Sequence, residues 1–153
     1  MFKKIFKILI LFCVIKNAYA AREVNGYNGG IKNESMSEVI NLLENKQYDK
    51  TIKLLLIEKK KNKLNADLYN YLGYAYRKKG DFDLSIKNYK KALKINPKHL
   101  RSHNYIGMAY LSKGQIEKSK IHLKELEELC KGKCNEFINL KNAIASSLKN
   151  EKK

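Results

Sequence analysis

The chain has 153 residues, with 32 Lys and Arg against 15 Asp and Glu, and a formal net charge of +17. That length suits one domain with a modest core and excludes a large multidomain assembly. Only Arg22, Arg77 and Arg101 are arginines, while Asn and Ile number 16 and 15. Phosphate and base recognition favours the planar fork of Arg, so the charge reads as a solvated lysine surface shaped by compositional bias, not a nucleic-acid site.

Lys3, Lys4 and Lys7 precede an unbroken apolar run from Ile8 to Ile15, and Ala18-Tyr19-Ala20 follows. A basic start, a short apolar stretch and small residues at the cleavage positions predict a secretory signal peptide over 1–20, cut after Ala20. The run is well short of the ~20 apolar residues a spanning helix needs, so no stable membrane span is expected after cleavage. Cys13 belongs to the discarded segment, and Phe12 before it is too large for a lipoprotein cleavage site. Loss of Lys3, Lys4, Lys7 and Lys16 would leave 133 residues at +13, exported to a bacterial periplasm.

Residues 21–33 lack apolar periodicity and carry turn dipeptides in Asn25-Gly26 and Asn28-Gly29, which predicts a flexible leader. From about 34 to 148 the pattern is helical, with seven helices near 34–45, 47–60, 66–79, 82–94, 98–113, 116–130 and 134–148. Residues 149–153 form a basic tail. The fold class is all-α.

A 34-residue echo runs through the middle of this pattern. Tyr69, Leu72, Gly73 and Tyr76 return as His103, Ile106, Gly107 and Tyr110, and nine of 22 positions are identical between 69–90 and 103–124. Such a period marks stacked helix-turn-helix units. Gly80-Asp81 supplies a tight turn within a unit, and Asn96-Pro97 ends one unit and opens the next.

Tyr69, Leu72, Gly73, Tyr76, Ser85, Tyr89, Ala92 and Pro97 match the eight signature positions of the tetratricopeptide repeat, and the chain resembles that family over roughly 34–133. The resemblance implies a helical-repeat solenoid of three helix pairs, at about 32–65, 66–99 and 100–133, closed by a capping helix at 134–148. Unit three departs from the pattern at Leu126 and Lys131. Unit one keeps little beyond the turn Gln47-Tyr48-Asp49, as terminal repeats with one uncovered face do. Three units are near the minimum for a stable stack, which leaves weak self-association open. The whole also resembles small exported bacterial repeat proteins with a Cys-bearing turn before the last helix.

The family's first helices line a concave groove. The resemblance carries this role onto Asp67, Asn70, Tyr74, Arg77 and Lys78 in unit two, and onto Arg101, Asn104, Met108, Leu111 and Ser112 in unit three. Amides there can grip a peptide backbone, and Tyr74, Met108 and Leu111 can take an apolar side chain. The family's carboxylate clamp is absent, because its central asparagine slot holds Tyr71 and Tyr105. The expected partner is a peptide or protein segment.

Cys130 and Cys134 are the only cysteines after residue 20. An even pair in an exported chain predicts a structural disulfide. A redox pair is the sharper alternative, but the spacing is not Cys-x2-Cys and no βαβ pattern surrounds it. His99 and His103 are four apart, yet no third ligand follows in register, so one core and one surface histidine are expected and not a metal site. His122 stands alone in the sequence. No Ser-His-Asp arrangement, phosphate-cradling loop or cofactor motif is visible. The sequence therefore predicts a non-catalytic interaction module, with a basic module for anionic envelope surfaces or polymers as the alternative and a thiol–disulfide enzyme as the third reading.

Overall fold

A computed structural model describes residues 33–150. The predicted signal peptide, most of the leader and the last three residues of the tail lie outside them. Seven α-helices follow one another: α1 Asn33–Glu44, α2 Tyr48–Lys61, α3 Ala66–Lys78, α4 Phe82–Ile95, α5 Leu100–Ser112, α6 Ile116–Cys130 and α7 Asn135–Asn150. Each predicted helix has a counterpart within a few residues. α1 takes in Asn33, assigned above to the leader, and α7 runs through Lys149 and Asn150, assigned to the tail.

Capping chemistry sets the starts of the two central units. The Asn65 side chain accepts the Leu68 N–H at 3.2 Å, and Asp81 accepts that of Leu84 at 3.0 Å. At α5 the cap is His99, whose Nδ1 accepts the Ser102 N–H at 3.1 Å. Each satisfies a donor that the first helical turn leaves without a partner. The turns inside the units recur with period 34. Lys46, Gly80 and Gly114 all have positive φ, at 55°, 87° and 68°. The residue after each donates back to a carbonyl five positions earlier: Gln47 to Leu42, Asp81 to Tyr76, Gln115 to Tyr110. Unit one therefore keeps the left-handed turn even with Lys where its neighbours have Gly, at a strain of about 1 kcal/mol.

Consecutive helices pack against each other, and α3 also meets α5, which stacks the first helices of units two and three. Three apolar clusters result. Val39, Ile52, Leu55, Leu68 and Leu72 join α1, α2 and α3; Ile86, Tyr89, Ile106 and Tyr110 join α4 and α5. Ile116, Leu126, Phe137, Leu140 and Ile144 build the third, where α7 covers α5 and α6. Leu126, the departure in the small-residue slot, is fully buried within it.

Gly73 and Gly107 mark the closest approaches. A Cβ at Gly73 would stand 2.6 Å from the Tyr89 ring, and one at Gly107 would stand 2.6 Å from the Leu140 side chain. The position equivalent to Tyr89 in unit three is the smaller Leu123. Leu140, from α7, fills against Gly107 instead. Exposed ion pairs repeat the same period on the surface: Lys79 with Asp49, and Lys113 with Asp83.

Candidate functional site

The first helices of the three units bring α1, α3 and α5 side by side. Between them lies a cavity of about 250 Å³ lined by Leu43, Glu44, Lys46, Tyr48, Asn70, Tyr71, Tyr74, Lys78, Arg101 and Tyr105. Helical spacing puts Asn70, Tyr74 and Lys78 on one face of α3, four residues apart, and Arg101 and Tyr105 likewise on α5.

Aromatic and cationic groups interleave along this wall. The Tyr74 and Tyr105 rings are 5.4 Å apart, tilted at 51°, and Tyr105 also lies 6.0 Å from Tyr89. The Arg77 guanidinium sits 5.4 Å from the Tyr74 ring and 5.5 Å from Tyr105, and the Lys78 Nζ approaches Tyr74 at 5.4 Å. These separations suit cation–π attraction, which fixes the rings as a stiff surface. Burial pushes the Tyr71 hydroxyl above its ordinary pKa of 10.0, opposed by the nearby Arg101 charge and hydrogen bond. The phenol is neutral at ordinary pH and already hydrogen-bonded to Arg101.

Beneath the wall runs a buried polar relay. His99 Nε2 lies 3.0 Å from Asp67 Oδ1, His99 Nδ1 lies 2.9 Å from Ser102 Oγ, and the Ser102 hydroxyl donates to Asn70 Oδ1 at 3.1 Å. Because Nδ1 already accepts the Ser102 N–H, Nε2 carries the proton and donates to Asp67. An Asp, a His and a Ser do come together here, although the sequence spacing gave no sign of it. Ser102 has no exposed surface, so its hydroxyl cannot meet a substrate. The relay ties α3 to α5 and holds the Asn70 amide in a fixed orientation. His99 itself is 3% exposed, which corrects the expectation of one surface histidine: both His99 and His103 are buried.

His122, isolated in the sequence, lies beside His103 in space. His103 Nε2 donates to the Pro97 carbonyl at 2.8 Å, leaving its Nδ1 to accept from His122 Nδ1 at 3.1 Å. His122 also stacks on Tyr110 at 5.8 Å. Burial, then His103 and Lys90, lower its pKa from 6.5 to about 4. Among the described residues no group of three or more His, Cys, Asp or Glu side chains could hold a metal ion.

The ten groove positions carried over from the family divide in the structure. Tyr74, Lys78 and Arg101 converge on the cavity, and Asn70 lies beneath them, 1% exposed and held by Ser102. Arg77 packs on the Tyr74 and Tyr105 rings from the side. Asp67 is buried against His99. Asn104 is 5% exposed, with its Oδ1 buried and without a hydrogen-bond partner. Met108 and Leu111 are partly buried and pack on the cluster that α7 closes. Ser112 is exposed and donates to the Met108 carbonyl at 3.1 Å. The cavity also takes Tyr71 and Tyr105, which the sequence reading set aside as a missing clamp; their identity across the 34-residue period was the available signal. At the far end, the Cα atoms of Cys130 and Cys134 are 5.7 Å apart with their sulfurs adjacent, a separation a disulfide spans.

Residues 66–99 and 88–120 match two family models, both described as tetratricopeptide repeat. No curated protein matches the chain by sequence. Solved structures with the same fold include the first tetratricopeptide repeat of Spaghetti bound to an HSP90 peptide, 18% identical, covering 74% of this chain and 89% of that one at a TM-score of 0.67. Another is the Yersinia enterocolitica type III secretion chaperone SycD in complex with a peptide of the translocator YopD, 22% identical, covering 78% and 90% at 0.66. A third is MamA from Desulfovibrio magneticus RS-1, 23% identical, covering 65% and 56% at 0.61. The fold is that of a helical-repeat solenoid. Residues 66–120 carry tetratricopeptide repeats, and the fold is shared with solved proteins built from them.

Proposed function

We propose that this protein is an exported, non-catalytic interaction module that holds a peptide or protein segment in the concave groove formed by α1, α3 and α5. The observation that carries the reading is the convergence of Tyr74, Lys78 and Arg101 on one cavity. Two proteins of the same fold, Spaghetti and SycD, are each described with a bound peptide, which supports a peptide or protein partner. Export to the periplasm rests on the pattern of residues 1–20, and a bridged Cys130–Cys134 pair is consistent with an oxidising compartment.

Affinity capture from envelope extract tests the reading, comparing the mature protein with an Asn70→Ala/Arg101→Glu variant. The variant should lose the partners that wild type retains. An identical partner profile for both would overturn the groove assignment.

A second reading is favoured by the outer helices. α2 carries Lys50, Lys53, Lys59, Lys60 and Lys61, and α4 carries Lys87, Lys90, Lys91 and Lys94. These could meet an anionic envelope polymer. Binding of that kind falls steeply between low and moderate salt, whereas retention in a packed groove does not.

A further inference from the structure

We infer that the outward face of α2 and α4 docks on the surface of an anionic lipid bilayer. Leu56, Ile57 and Leu64 enter the headgroup region, and the lysines around them meet lipid phosphates. The inference goes beyond the groove reading, which uses another face, and narrows the anionic-partner reading to one kind of partner.

The 34-residue period isolates the patch. Helical spacing puts Lys53, Leu56, Ile57 and Lys60 on the solvent face of α2, with Leu64 in the connection just beyond it. The equivalent positions in unit two are Lys87, Lys90, Lys91, Lys94 and Lys98, all exposed. In unit three they are Ile121, Lys124, Glu125, Glu128 and Gly132. A compositional bias toward lysine accounts for the basic row on α4. It does not account for Leu56, Ile57 and Leu64, which are 40%, 47% and 77% exposed where unit two carries lysine. Large apolar side chains gathered on one solvent face mark a contact surface.

Charge then selects what covers it. The acids of α2 and α4, namely Asp49, Glu58 and Asp83, are each held by a lysine, so none offsets the outward row. Lys59 and Lys91 approach the same Tyr69 ring, at 5.5 and 5.9 Å, which joins the two helices into one basic surface. Lysines alone would serve a soluble polyanion. Lysines with leucine and isoleucine between them suit a bilayer interface, where ammonium groups reach the phosphates while their stems and the shorter apolar side chains meet the acyl boundary. A protein partner would have to dehydrate the same lysines, a residue depleted from protein interfaces. No described helix is long and apolar enough to cross a membrane, so the contact is peripheral. None of the five unit-one residues lines the α1–α3–α5 cavity.

Flotation of the mature protein tests the inference, with phosphatidylethanolamine vesicles containing about one quarter phosphatidylglycerol and with phosphatidylcholine vesicles. Binding to the anionic vesicles should be about tenfold or more tighter, and should weaken as salt rises. Leu56→Ser/Ile57→Ser/Leu64→Ser and Lys87→Glu/Lys91→Glu should each lower it about tenfold, while Ile121→Ser on α6 leaves it within about twofold. Circular dichroism melts confirm that each variant is folded. The chain has no Trp, so Ile57→Trp places a single fluorophore in the patch. Its emission should move to the blue and be quenched by brominated acyl chains, and that of Ile121→Trp should not. If the Ser variant binds like wild type and Ile57→Trp stays unquenched, contact is by charge alone. Lipid docking is then overturned in favour of a soluble polyanion, for which polyphosphate is the probe. Equal binding to both kinds of vesicle overturns it as well. If no vesicle is bound and the Ser variant instead abolishes a dimer seen by sedimentation velocity, the patch joins two copies and the inference falls. The groove reading has its own test in Asn70→Ala/Arg101→Glu, and none of these outcomes bears on it.

Discussion

Gly73 has no room for a methyl group. An added Cβ would stand 2.6 Å from the Tyr89 ring, which is fully buried and cannot swing aside. Gly73→Ala should therefore destabilise by about 1–3 kcal/mol in urea unfolding, the usual range for overpacking, and Tyr89→Leu in the same chain should recover part of the loss. A second residue-scale consequence concerns acid. His122 has a pKa of about 4 in the fold against 6.5 ordinarily, from burial first, then His103 and Lys90. Between these values the unfolded chain binds the extra proton, so stability rises with pH across the window. The contribution is complete above about pH 6.5 and is lost as pH falls through about 4. Thermal melts from pH 7 to pH 4 should show wild type losing more stability than His122→Asn, and parallel curves would contradict this.

At the scale of the element, α7 does what a fourth unit would otherwise do. Phe137, Leu140 and Ile144 bury against the third unit, and Leu140 reaches Gly107 where Leu123 is too short. The proposed Cys130–Cys134 bridge would hold the turn that launches this helix. Replacing both cysteines with Ser should lower stability by about 2 kcal/mol on the chain-entropy argument for so short a loop. Under reducing conditions wild type and variant should then melt together; a gap that persists in reductant would mean the sulfurs act through packing instead. The helices were readable because apolar period, turn glycines and Pro97 all point the same way. Sequence spacing puts Met108 and Leu111 on the groove face of α5, and packing adds that both are partly buried against the cluster that α7 closes. The relay of Asp67, His99, Ser102 and Asn70 was hidden for a related reason. Its two cross-helix pairs, Asp67 with His99 and Asn70 with Ser102, are each 32 residues apart, and nothing local marks one as the partner of the other.

Across the whole molecule, the 34-residue period sorts residues by task. Repeated positions such as Gly80 and Gly114, or Asp49 and Asp83, build and stitch the stack. Positions that differ, such as Tyr74 against Met108, separate a cavity-lining stretch of α3 from a stretch of α5 packed on the third cluster. The groove proposed to hold a partner is thus shorter than three units suggest, and it lies toward the N-terminal side, between α1 and the first half of α5.

The most direct test is photo-crosslinking in the native compartment from single probes placed at Lys78, on the cavity, and at Ile121, which is 60% exposed on α6. A groove that holds a partner predicts a discrete adduct from position 78, lost when Arg101→Glu is added, and none from position 121. Equal adducts from both sites, or an adduct from 121 alone, would contradict it.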